Sequence, residues 1–215
     1  MIPAIVLAAG RSARMGRAKA LLPIAGGETF LSRVIKTLIE GGVDDVVVVL
    51  GYEPEPIVAD LASRGLAARY IVNENFDAGQ LSSLVTGLRV IDRPGIEAAL
   101  VTLVDVPLVR SATVRAVVDR YRRARPPIVR PVCGDRHGHP LLIDRGLFGA
   151  LRSADPSVGA KEIVRAHASK AGDVEVNDEG AFRDVDCPEE YERLLRELDN
   201  FNDSTDLKSG ETSAG

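Results

Sequence analysis

Between Leu7 and Lys19 the chain sets small residues among cations: Leu7-Ala8-Ala9-Gly10-Arg11-Ser12-Ala13-Arg14-Met15-Gly16-Arg17-Ala18-Lys19. Small side chains let a ligand approach the backbone closely, and the N–H groups of such a loop form an anion-binding concavity. Arg11, Arg14, Arg17 and Lys19 add the positive charge that a triphosphate needs. The segment reads as a nucleotide site, with Leu7, Ala8, Ala9, Gly10, Arg11 and Ser12 against the nucleotide and the loop's cations toward its phosphates. Two common phosphate motifs are excluded. Gly10 and Gly16 are six apart and Arg17 follows where a P-loop has Lys, and the closely spaced glycines of a dinucleotide fingerprint are absent. The bland reading is a solvated basic loop after a first strand.

Carboxylates supply the other half of the chemistry. Asp105 ends the apolar run Ala98–Val104, and ligands of open α/β sheets bind at the carboxyl ends of strands. By position alone Asp105 is equally a turn or cap residue. Beside a triphosphate loop it suits Mg²⁺, which takes one or two carboxylates together with phosphate oxygens. In Asp184-Val185-Asp186 the alternation puts both acids on one side of a strand, where they require a cation or water between them; solvated residues before a helix is the competing reading. The stretch from Asn75 to Leu84 is a loop entering a helix, with Gly79 free to take an unusual backbone angle and Ser82 and Ser83 near the helix N-terminus. These residues could grip ribose or base edges, or serve as plain caps. His137 and His139, two apart, invite zinc, but no cysteine or third clustered histidine completes a site.

Elements that alternate between strand and helix must position these residues. Ile2–Leu7 is a first strand, and Phe30, Leu31, Val34, Ile35, Leu38 and Ile39 trace one helical face that ends at Gly41-Gly42. A continuous apolar strand follows at Asp45–Leu50, then a helix at Pro56–Arg64, a strand at Ala68–Val72, a helix at Leu81–Ile91 and the strand Ala98–Val104. Ser111 caps a helix through Tyr121, and strands are expected at Ile128–Val132 and Leu141–Ile143. The rest reads as two short helices, a hairpin-like pair near Val174 and Phe182, and a last helix from Pro188. The fold class is α/β: a single Rossmann-like domain over residues 1–198, its mostly parallel central sheet flanked by helices. From 199 to 215 the composition turns polar, as in a disordered tail.

Composition narrows the partners. With 215 residues, 45% hydrophobic and 27% charged, the chain suits one soluble domain. A net charge of −4 argues against wholesale nucleic-acid binding, and the lack of Trp argues against a base-stacking platform. No run approaches the ~20 apolar residues of a membrane span, and no basic leader precedes the first strand. Cys133 and Cys187 form no CxxC pair and read as ordinary thiols. A cytoplasmic location is the expectation.

The run from Leu7 to Leu22 resembles the signature of the pyrophosphorylase-like nucleotidyltransferases, and within them the MobA-like molybdenum cofactor cytidylyltransferases, whose pattern is roughly LAAGxSxRMGxxKxLL. The resemblance extends over about residues 2 to 195. It implies the nucleotide-diphospho-sugar transferase type of fold, with Asp105 as the Mg²⁺ or Mn²⁺ ligand and catalytic roles for Arg14, Lys19 and Asp105. Asp186, and with it Asp184, corresponds to acids that help hold the metal; Cys187 stands where the family has Thr. Asn75, Gly79, Ser82 and Ser83 match a segment that lines the nucleotide pocket, and Gly138-His139-Pro140 matches the cytidylyl branch, with His139 toward the acceptor. Lys161 stands where the family has an acceptor-side Arg, and Lys cannot reproduce a bidentate guanidinium contact. The implied reaction moves a nucleoside monophosphate from an NTP, CTP favoured, to a phosphorylated acceptor such as molybdenum-molybdopterin, for a client molybdoenzyme or its chaperone. Alternatives are a guanylyltransferase, another phosphate-ester acceptor, or a non-catalytic nucleotide-binding accessory protein.

Overall fold

Five consecutive buried residues, Ala4–Ala8, form β1, the strand around which the sheet is laid out. A computed structural model describes residues 1–209, with side chains described as far as Asp199. After β1 a short antiparallel pair, β2 (Pro23–Ile24) and β3 (Glu28–Thr29), leads into α1 (Phe30–Glu40). Thr29 and Ser32 cap this helix reciprocally, Ser32 N donating to Thr29 Oγ1 and Thr29 N to Ser32 Oγ, so two orphan donors of the first turn are satisfied. Then come β4 (Val46–Leu50), α2 (Pro54–Ser63), β5 (Arg69–Val72), α3 (Gln80–Ile91) and β6 (Ala98–Leu103). The remainder comprises α4 (Ser111–Ala124), β7 (Ile128–Cys133), β8 (Arg136–His137), β9 (Leu141–Asp144), α5 (Phe148–Arg152), α6 (Lys161–His167), β10 (Asp173–Glu175) and α7 (Pro188–Ser209).

The main sheet runs β10-β7-β9-β6-β1-β4-β5, with β8 paired to β7. From β6 through β1 and β4 to β5 all pairings are parallel. β9 enters antiparallel between β6 and β7, while β10 pairs parallel with β7. The order therefore reverses at β1: β4 and β5 build out on one side and β6 on the other. Such a switch point opens a crevice at the carboxyl ends of the strands, here between β1 and β6.

Alternation along β1 feeds two cores. Ala4, Val6 and Ala8 face a cluster with Phe30, Leu31 and Ile35 of α1, Val114 and Val117 of α4 and Leu194 of α7. Ile5 and Leu7 face Leu84, Leu88 and Ile91 of α3 and Phe148 and Leu151 of α5. Helices on both faces explain why β1 and β4 are continuous apolar runs.

Three local expectations are corrected. Val174 and Phe182 do not form a hairpin: Val174 pairs parallel with Pro131, and Phe182 closes a 3₁₀ turn. The Asp184-Val185-Asp186 segment is not a strand of the sheet, though the Val185 N–H bonds to the Asp105 carbonyl at 2.9 Å. Ser111 does not cap α4. That end is held instead by buried Asp178, which accepts from Arg110 N at 2.9 Å and Thr113 Oγ1 at 2.5 Å. The polar stretch read from residue 199 overlaps the distal part of α7, and residues 210–215 lie outside the described residues.

Candidate active site

Beyond β1 the loop turns sharply at Ser12, which takes a left-handed φ of 50°. Its carbonyl accepts from Met15 N and Gly16 N, its Oγ accepts from Lys19 N at 3.2 Å, and buried Met15 anchors the turn in the core. This rigid entry directs Lys19 inward, its side chain only 13% exposed. Lys19 Nζ donates to Asp105 Oδ2 at 2.9 Å and also to Asp186, while Arg14 Nη2 reaches Asp186 Oδ2 at 2.7 Å. Burial opposes the Lys19 charge, yet the hydrogen bonds to Asp186 and Asp105 outweigh it and hold the ammonium above its usual pKa. Asp186, bonded to Lys19 and Arg14, lies below the ordinary carboxylate range.

Four residues from three distant segments thus converge at the switch point. Asp105 arrives at the end of β6, and the Val185–Asp105 backbone bond lays the 184–186 segment beside it. Buried Val185 turns into the core, so Asp186 turns to the cluster. Cys187, in place of Thr, does not leave the helix start uncapped, because Glu190 Oε2 accepts from Asp186 N and Cys187 N. Asp184 is exposed and, among the described residues, makes no ion pair; its charge acts instead on His139.

Around the cluster lies a cleft of about 1050 Å³. Its wall includes the whole run Leu7–Arg14, Gly16–Leu21, Asp105 and Asp186, and on the far side Tyr52, Phe76, Gly79, Gln80 and Ser83. Gly79 has a φ of 96°, a conformation that L side chains rarely adopt, as it starts α3. Asn75 and Ser82 stand behind this wall: Ser82 Oγ donates to the carbonyls of Asn75 and Gly79. The organiser is Asn73, buried and unremarked in the sequence, whose Nδ2 donates to Ser82 Oγ and Ser83 Oγ while Oδ1 accepts from Asn75 N. Tyr52, Phe76 and Asp77 also went unread, because an isolated aromatic or acid carries no signal until tertiary contact places it.

Two atoms of the site are buried without a partner: Asp105 Oδ1 and His139 Nδ1. A buried carboxylate oxygen with nothing donating to it is suited to a cation. Among the described residues no three of His, Cys, Asp and Glu gather into a metal cage, so a cation here would complete its shell from phosphate and water, as Mg²⁺ usually does. His139 precedes β9, whose pairing places it beside the end of β6, and its N–H bonds to the Ala181 carbonyl. Burial pushes its pKa below the usual histidine value against the pull of Val101, Asp105 and Asp184. Lys161 is exposed at the start of α6 and does not line the cleft.

Residues 4–171 match the family described as MobA-like NTP transferase domain, and the chain belongs to that family. It is a nucleotidyltransferase by family. Among individual proteins it is 31% identical to the nicotine blue oxidoreductase of Paenarthrobacter nicotinovorans, over 90% of this chain and 96% of that protein. It is also 31% identical to a Mycolicibacterium paratuberculosis protein named "Probable molybdenum cofactor guanylyltransferase", over 74% of this chain and 81% of that one. A crystal structure of Mycobacterium tuberculosis Rv0371c superposes with a TM-score of 0.74 at 28% identity, covering 91% of this chain and 98% of that one. The same protein has a structure in complex with manganese. No helix among the described residues is long and apolar enough to cross a membrane.

Proposed function

We propose that this protein transfers CMP from CTP to a phosphorylated acceptor, molybdenum-molybdopterin, with release of pyrophosphate, in the cytoplasm and on behalf of a molybdoenzyme. The observation that carries the reading is the Lys19–Asp105–Asp186–Arg14 cluster at the open end of a small-residue loop. Two anions must meet in this reaction, so catalysis consists mainly of neutralising charge and fixing geometry. The cleft supports exposure of the Ala9–Gly10 backbone to the phosphates, with Arg14 and Lys19 countering charge that develops on the α-phosphate and the leaving pyrophosphate. A phosphate nucleophile is already ionised near neutrality, so no side chain need act as general base. Asp105 and Asp186 would hold Mg²⁺ or Mn²⁺, which would neutralise phosphate oxygens. Gly79 and Ser83, in the cleft wall and supported from behind by Asn73, Asn75 and Ser82, would hold the nucleoside, and the Gly138-His139-Pro140 resemblance supports a place for His139 on the acceptor side.

Titration with CTP, GTP, ATP and UTP in the presence of Mg²⁺, followed by pyrophosphate release on adding acceptor, tests the reading. Preference for CTP with pyrophosphate release supports it. Preference for GTP moves the protein to guanylyl transfer, as named for its Mycolicibacterium relative. Binding without release in the presence of acceptor would identify an accessory carrier instead.

A further inference from the structure

Arg11 follows Gly10, where the loop leaves the sheet, and its guanidinium is already engaged by protein. Nε donates to Asp77 Oδ1 at 3.0 Å and Nη2 to Asp77 Oδ2 at 2.6 Å, a two-pronged contact that a lysine cannot make. The same group lies 4.8 Å from the Tyr52 ring centroid and 5.1 Å from that of Phe76. Those rings meet edge to face at 6.2 Å. Asp77 belongs to the turn Phe76–Ala78 that leads through Gly79 into α3, so the ion pair ties together the two loops that wall the cleft. Space behind the tie is tight: a Cβ at Gly51 would lie 2.6 Å from the Ala9 carbonyl oxygen and 2.7 Å from Phe76 Cβ. Directly after Arg11, Ser12 holds its left-handed φ, which a non-glycine residue keeps only where its surroundings enforce it.

We propose that Arg11 is a positioning residue and not a phosphate ligand. Clamped by Asp77 and stacked on Tyr52 and Phe76, it pins the loop from Ala9 to Ala18 in the shape that turns its backbone donors toward the cleft. The role assigned to those donors rests on the nucleotidyl-transfer reading; the pin itself does not. Arg14, Arg17 and Lys19 remain in the cleft wall as cations that can meet the phosphates, Arg14 facing Asp186 and Lys19 facing Asp105. For Arg11 to join them it would have to leave both carboxylate oxygens and both rings.

The test compares Arg11→Ala, Arg11→Lys, Asp77→Ala and the Arg11→Ala/Asp77→Ala double variant with the wild type. Nucleotide affinity is read by titration with CTP and GTP in Mg²⁺, and loop mobility by amide hydrogen exchange over residues 9–18 in nucleotide-free protein. Each single variant should speed loop exchange and weaken nucleotide binding by a similar factor, roughly five-fold, the scale of an exposed ion pair with added stacking. Arg11→Lys should behave as Arg11→Ala, and the double variant should lose no more than either single one. A far larger loss in Arg11→Ala than in Asp77→Ala, with wild-type binding in Arg11→Lys, would make Arg11 a phosphate ligand and overturn the inference. Should the wild type bind no nucleotide, the nucleotidyl reading fails on its own. Exchange then decides about the pin: faster in both single variants upholds it, unchanged in both overturns it.

Discussion

Lys19 and Asp105 lie 86 positions apart in the chain, yet the ammonium of one meets the carboxylate of the other at 2.9 Å. The loop after β1 delivers the cation and the end of β6 the anion, and because these strands are adjacent and parallel the two ends share one edge of the sheet. Burial makes either charge alone costly at this position, and each partner offsets the desolvation of the other.

Asp105→Asn keeps the shape of the side chain and removes its charge. Turnover should fall ~10²-fold or more, the loss that follows removal of one preorganised charge-stabilising group. Steady-state pyrophosphate release measures this, and near wild-type kcat would take Asp105 out of the mechanism.

Chelation of divalent cations should abolish transfer while leaving the thermal midpoint of the nucleotide-free protein where it was. Lys19 and Arg14 already neutralise Asp105 and Asp186, so the fold does not depend on metal to separate those charges. A midpoint lowered by several degrees on adding chelator, seen by calorimetry, would contradict this account.

His139 predicts a pH dependence of stability. Burial holds its folded-state pKa below the 6.5 of a free imidazole, so below that pH the unfolded chain binds more protons than the folded one. This contribution is complete above pH 6.5 and is lost as pH falls toward the depressed folded value. Comparing thermal midpoints at neutral and mildly acidic pH, His139→Gln should show a smaller acid-induced drop than wild type. Identical drops would show that His139 is not the responsible group.

Gly51→Ala probes the contact between β1 and the cleft wall. Its methyl group would press on the Ala9 carbonyl and Phe76, so either the nucleotide loop or the aromatic wall must move. A loss of about 1–3 kcal/mol in unfolding free energy is expected, the usual cost of overpacking. Denaturant titration measures it, and an unchanged midpoint would mean that the wall yields freely.

Much of the frame could be read from local pattern. The run from Ile2 to Ala9, the apolar face of α1 and the buried strand 46–50 carry their structure in their own periodicity, which tertiary packing here reinforces. The antiparallel entry of β9 could not be read, because a short apolar run has no direction until its neighbours pair with it. Nor could the failed hairpin near Val174, where β7 competed for the same strand as a parallel partner and won.

The same division runs through the site. By itself the sequence determined that a small-residue, cation-bearing loop follows a buried strand and that Asp105 stands at the end of another, since residue type and short-range spacing decide both. Only the tertiary structure decided which charges meet. It turned Asp186 into the cluster and left Asp184 outside, took Arg11 to Asp77, and made Asn73 the support of the opposite wall. Those choices depend on contacts between segments far apart in the chain, where a direction in space, and not a spacing in sequence, determines the partner.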